Sequence, residues 1–181
     1  LDVLVTAIIA VSYENKVYMA GESGNSDSSI ITPSLTPKIF DVGDYLIGYA
    51  GISGQGQLVV YNFPFPPITK GMDIDKHMHT IFMPALRSFY KDYDISIEKD
   101  DDAADFIVGV KGHIYEISSY DFQCTSYSVT AIGSGREYAM GAYYALSSDT
   151  QYNIEYIVSM SIEAAIEYSP SCCGPTHFLV K

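Results

Sequence analysis

The run "VLVTAIIAV" (residues 3–11) places one hydroxyl, Thr6, among apolar residues. A threonine there is an ordinary strand residue unless the chain is cut before it, when its hydroxyl becomes a terminal nucleophile that still needs a base. Its own α-amine could serve, because an α-amine titrates near about 8 and is partly neutral at physiological pH. A nearby Lys38 would favour the neutral amine and stabilise developing negative charge. Glu22 could hold that lysine by ion pairing. Gly51, in "YAGISG", could present a backbone N–H to an oxyanion, and Ser134, in "IGSG", could relay protons. These residue types suit acyl transfer, although composition and spacing alone do not assemble them into one site.

Other candidates read more simply. Cys124, Cys172 and Cys173 are an odd number and define no disulfide framework, which points to a reducing, cytosolic setting. Adjacent cysteines rarely close on each other and lack a zinc spacing, so Cys172 and Cys173 read as structural thiols. His77 and His79 stand two apart on a predicted helix, where their rings do not share a face, so no metal site is expected. His113 and His177 read as structural. The "GSG" loop before a helix resembles a phosphate cradle but lacks a P-loop lysine and the dinucleotide spacing. No cofactor is implied.

The elements that would position these residues follow from periodicity. The β-branched run from residue 3 turns at "ENK" and returns as "VYMAG", giving a hairpin over residues 3–21. "SGNSDSS" (residues 23–29) reads as a polar loop, and "SIIT", "PKIFDVG" and "YLIGYAG" as short strands. "SGQGQLVVYN" is a short helix stopped by "FPFPP". The aromatic stretch there would cover either a neighbour or the chain's own core. "MDIDKHMHTIFMPALRSFYKDY" is an amphipathic helix with Ile74, Met78, Ile81, Phe82, Ala85, Leu86 and Phe89 on one face, and Pro84 predicts a kink. "DFIVGVKGHIYEISS" is strand–turn–strand, "YSVTAIGSG" a strand entering the glycine loop, and "REYAMGAYYALSS" a helix. "NIEYIVSMSIEAAIEYSP" is a helix capped by Asn153, and "THFLVK" closes as a strand. Strands grouped with pairs of helices between them predict an α+β layered protein, read here as a single domain over residues 1–181.

Charge excludes some functions. At −12 net and a pI near 4.4, the chain lacks the positive footprint of a nucleic-acid binder. No apolar run has the length of a membrane span, and Asp2 with no basic flank makes the start a poor signal peptide. The acidic run "EKDDDAAD" (residues 98–105) reads as a solvated loop. Sixteen tyrosines without tryptophan suggest amphipathic packing or interface surface. Leu1 in place of a start methionine implies that the natural chain begins upstream.

The motifs together resemble the proteasome β-subunit family, in particular its HslV-like branch. "TAIIAVSYENKVYMAGES" is similar to the family's opening hairpin, with Glu22 sixteen residues after Thr6 where the family has an acid. Lys38 of "PKIF" falls thirty-two residues after Thr6, the place of the family lysine. "IGYAGISG" resembles the Ala-Gly motif before the first helix, and "AIGSGREYAMGAYYAL" the glycine–serine–glycine loop with its helix. The resemblance implies an N-terminal-nucleophile hydrolase, a four-layer αββα sandwich assembling into homo-oligomeric rings. It implies Thr6, Glu22, Lys38, Gly51 and Ser134 as the catalytic set, and an unfoldase or assembly partner. Tyr49 would line the substrate pocket and make it shallow or apolar. A late acid-and-serine pair falls on Ser169 and Cys172.

The departures imply a second reading. Glu22 replaces the family's aspartate, Ala7 follows Thr6 where active members carry a second threonine, and Val5 precedes it where self-processing members have glycine. With residues 1–5 attached, Thr6 has no free α-amine and the implied chemistry is off. The chain would then be a silent structural subunit of the same fold, in a virion or another cytoplasmically assembled particle.

Overall fold

The computed structural model describes residues 6–26, 30–98 and 103–181. Two antiparallel sheets form its centre. β1 (Ile8–Tyr13) and β2 (Lys16–Glu22) make the expected hairpin, with Glu14 and Asn15 both at positive φ in the tight turn. β1 lies between β2 and β10 (Val129–Ile132), and β2 is flanked on its other side by β11 (Thr176–Val180), giving the order β10-β1-β2-β11. The second sheet is a five-stranded meander of β5 (Ile39–Val42), β6 (Tyr45–Gly51), β7 (Ala104–Val110), β8 (His113–Ser118) and β9 (Cys124–Tyr127).

Period-two alternation divides each strand between two cores. Ile9 and Val11 face α4 (Arg136–Ser147) and α5 (Ile154–Tyr168), where they pack with Val158, Ile162 and Ala165. Ile8 and Ala10 face the other sheet and pack with Leu46, Ile107 and Ile114. The meander's outer face carries Tyr45, Phe106 and Tyr115 against α1 (Ser53–Asn62) and the helical stretch over residues 74–92. The order of layers is therefore helix, sheet, sheet, helix, as expected. It explains why "IIAV" is apolar without interruption, since both faces of β1 are covered. Among the described residues no helix is long and apolar enough to cross a membrane.

Several local expectations are corrected. Part of the polar loop pairs instead: β3 (Gly24–Ser26) forms a ribbon with β4 (Ile31–Pro33). "YSVTAI" is not one strand. Tyr127 ends β9 in one sheet and Val129 begins β10 in the other, and the Ser128 carbonyl between them accepts the Ser12 N–H at 2.9 Å. The helix carrying Pro84 is not one regular α-helix. α2 (Ile74–His77) runs into a π turn (Met78–Phe82) and then α3 (Met83–Asp92), with Met83 N–H donating to the Met78 carbonyl. Proline lacks the N–H that a regular helix would direct at residue 80, and the wider turn absorbs that gap just ahead of it. The widened turn rotates Ile81 out of the apolar face, leaving it 46% exposed. "FPFPP" covers its own core, with Phe63 edge-on to Phe82 and Phe89 at 5.4 Å. The acidic residues 99–102 lie outside the described residues, whereas Asp105 is within β7. His113 opens β8 as an exposed residue.

His77 is buried at the end of α2, 2.8 Å from the Tyr45 hydroxyl. That hydroxyl donates to the Pro66 carbonyl at 2.7 Å, so the His77 Nε2–H donates to it, and Nδ1 has no partner. Burial pushes the His77 pKa down. The unfolded chain then takes up the proton first, so stability present above about pH 6.5 is lost as pH falls below it. Urea midpoints should fall between pH 7 and pH 5, and His77→Phe should flatten that limb.

Candidate active site

Thr6 stands immediately before β1, and the glycine loop after β10 grips its backbone. Gly135 N–H donates to the Thr6 carbonyl at 3.0 Å, and Thr6 N–H donates to Ser134 Oγ at 3.3 Å. Gly133 has φ +89°, and a Cβ there would lie 2.3 Å from the Thr6 carbonyl oxygen, so only glycine allows the loop to approach this closely. In the intact chain this nitrogen is an amide and a donor, not a base.

Lys38 precedes β5 and is 6% exposed. Its ammonium donates to Thr6 Oγ1 at 2.8 Å and to Glu22 Oε1 at 2.7 Å. Glu22 closes β2 and is fully buried. Its second oxygen accepts the Gly24 N–H and, at 3.3 Å, the Cys173 N–H. The extra methylene relative to aspartate is accommodated because residue 24 has no side chain; a Cβ there would stand 2.6 Å from Glu22 Oε2. Thr6, Glu22, Lys38 and Ser134 are thus one hydrogen-bonded group, drawn from four segments.

The group continues through hydroxyls. Ser134 Oγ lies 2.7 Å from Ser171 Oγ, which lies 2.9 Å from Ser169 Oγ. Ser171 was missed by sequence reasoning, which put Ser169 and Cys172 at this end. Ser169 is in the chain, but the hydroxyl touching Ser134 belongs to Ser171. The available signal was the Ser-Pro-Ser run, since proline marks a turn, and the chain does turn past α5, with the Cys172 N–H donating to the Ser169 carbonyl at 3.3 Å. The Cys172 thiol is buried beside this chain, and burial pushes its pKa up, partly offset by hydrogen bonds with Ser169 and Ser171. Cys173 is half-buried.

Lys38 opens onto a cleft of about 170 Å³ between the β3–β4 ribbon and the start of α1, lined by Ser23, Asn25, Ser34, Tyr49 and Gln57 among others. Tyr49 is 2% exposed, with its ring over Gly56, where a Cβ would meet it at 2.3 Å. The cleft is small, and its lining is polar, against the apolar alternative. Gly51 ends β6 at φ +87°, pressed against the Ala103 carbonyl, which a Cβ would approach to 2.5 Å. Its neighbour Tyr49 ties β6 to the lysine segment by donating its N–H to the Lys38 carbonyl at 3.1 Å.

The layered αββα architecture, with a threonine at the head of a central strand, defines the N-terminal-nucleophile hydrolase fold. More narrowly, this is the fold of proteasome β-subunits. Thiobacillus denitrificans BPH in complex with epoxomicin superposes with a TM-score of 0.82 at 18% identity, over 97% of this chain and 98% of that one. Eukaryotic HslV from Trypanosoma brucei gives 0.72 at 19% identity, over 97% and 98%. Anbu, an ancestral β-subunit from Yersinia bercovieri, gives 0.71 at 14%, over 97% and 81%. No family model and no curated protein matches the sequence. At these identities the likeness is one of fold.

The ion pair supplies a stability test. Glu22→Ala removes the carboxylate that neutralises the buried Lys38 ammonium and should destabilise the protein by about 3–5 kcal/mol in urea unfolding. Glu22→Gln/Lys38→Met removes both charges and should cost clearly less than the two single changes added together.

Proposed function

We propose that this chain, as one proteasome-β-like domain over residues 1–181, is a threonine-type peptidase subunit of a self-assembling ring, with Thr6 as its nucleophile once residues 1–5 are removed. The observation that carries this reading is the Lys38 ammonium, held between Glu22 and the Thr6 hydroxyl at 2.7 and 2.8 Å. Cleavage before Thr6 would turn its amide nitrogen into an amine that stays within reach of Ser134. That amine takes the hydroxyl proton through a water, and Oγ1 bonds to the peptide carbonyl carbon. The Gly51 N–H faces the oxyanion and Lys38 lowers the energy of the developing charge. The tetrahedral centre collapses by expelling the leaving amine, which takes up the proton. Water then hydrolyses the threonine ester and restores the hydroxyl. Substrate side chains enter the polar cleft beside Tyr49. Delivery by an unfoldase and a cytoplasmic setting rest on analogy with the fold alone.

A second reading has one observation of its own. The Ser134–Ser171–Ser169 chain contains only hydroxyls, where the resemblance implies a carboxylate. It favours a silent subunit that keeps residues 1–5 and contributes architecture to a larger particle.

Intact mass and N-terminal sequencing of the native assembly separate the two. The peptidase reading expects a chain beginning at Thr6 that an epoxyketone probe labels, with labelling and peptide hydrolysis abolished in Thr6→Ala. It also expects Lys38→Ala to lower turnover by about a hundredfold or more. Residues 1–5 retained throughout the assembled particle would overturn it.

A further inference from the structure

The β1–β2 turn and the α4–α5 connection flank a solvent-open cavity of about 620 Å³ that shares no lining residue with the Lys38 cleft. Its volume lies within the range of about 300–1,000 Å³ usual for small-molecule sites. Three carboxylates reach it from three segments: Glu14 from the turn, Asp149 from the connection and Glu155 from the first turn of α5. None of its described lining residues is a lysine or arginine. Asp149 is held in place by the Gln151 N–H at 3.1 Å and the Gln151 side-chain amide at 2.6 Å. The Glu14 carboxylate beside Tyr13 raises the phenol's pKa, as expected at an electronegative rim.

The walls are aromatic. Tyr13, Tyr18, Tyr143 and Tyr152 line the cavity, and Tyr152 is stacked on Tyr156 with centroids 4.9 Å apart and planes 22° apart. Tyr18 is 7% exposed, and its hydroxyl makes no hydrogen bond with any described residue although it lines the space. This hydroxyl opens to the solvent of the cavity and can accept a hydrogen bond from a donor that enters it. Ile157 supplies an apolar floor.

We infer that this cavity binds an aliphatic polyamine, an extended cation with two or more ammonium groups joined by methylenes. Tyrosine faces attract ammonium groups and also pack against the methylenes between them. Three separated carboxylates match several spaced charges, whereas a single guanidinium would leave part of the rim unanswered. A divalent metal would use neither the rings nor the apolar floor. The Tyr18 hydroxyl accepts a hydrogen bond from an inner ammonium. Nothing in this assignment depends on whether Thr6 is catalytically competent.

Titrating the full chain with spermidine in a calorimeter at fixed ionic strength tests it. Saturable binding at one site per chain is expected. Glu14→Gln/Glu155→Gln should weaken it about tenfold or more, and Tyr152→Leu about threefold to tenfold while Tyr152→Phe retains it. On the unaltered chain, a photo-crosslinking spermidine analogue should label peptides of the β1–β2 turn or the α4–α5 connection. Labels elsewhere would overturn the assignment, as would equal competition by Mg²⁺ at matched ionic strength, which marks diffuse attraction to an acidic protein. An arginine-bearing tetrapeptide that binds the same site more tightly than spermidine would overturn it in favour of a protein partner.

Discussion

The buried contact between Lys38 and Glu22 is the constraint around which the rest is arranged. Removing an ammonium and a carboxylate from water is favourable only when further hydrogen bonds meet their remaining capacity. Glu22 achieves this with donors from three places: the Lys38 side chain, the Gly24 amide and the Cys173 amide. Those donors fix where β3 begins, where β5 begins and how the chain returns from α5 to β11. A second donor of the same ammonium goes to Thr6 Oγ1. A charge held this way is already oriented, so little reorganisation is needed when negative charge develops beside it.

Around that pair the two sheets contribute differently. The four-stranded sheet carries Thr6 and Glu22, because Thr6 stands just ahead of β1 and β2 ends in Glu22. The meander supplies the surroundings: Tyr49 on β6 closes one side of the cleft, and α1 follows directly. The glycine loop after β10 holds the Thr6 backbone within the four-stranded sheet, and its serine extends the polar network toward the segment past α5. The network is well satisfied by hydroxyls and amides, which keeps a buried polar group from being a liability.

Much of this was legible in the sequence, for identifiable reasons. Apolar alternation and turn residues located the β1–β2 hairpin, α5 with its Asn153 cap, and the β7–β8 turn at Lys111-Gly112. The intervals from Thr6 to Glu22 and Lys38 carry over because an uninterrupted hairpin and ribbon fix their length. What failed was set by tertiary packing. The β3–β4 ribbon has polar residues that look like loop, and only pairing reveals it. The π turn at Met78–Phe82 answers a missing N–H two residues further on, which periodicity does not register. Ser171 was passed over for Cys172 because the chain turns directly after α5, where neither helix nor strand periodicity indicates which side chain faces Ser134.

The sheet order carries a consequence for biosynthesis. β1 is emitted before its sheet neighbours β2 and β10, and β2 in turn awaits β11 at residues 176–180. The amides and hydroxyls that complete the Thr6 environment come from residues 133–135 and 169–173. A nascent chain still held by the ribosome therefore has the threonine but not its surroundings. Contacts this distant in sequence form late and slowly. The arrangement acts as a timer, in which the polar surroundings of Thr6 are completed only after residues 169–173 have been made.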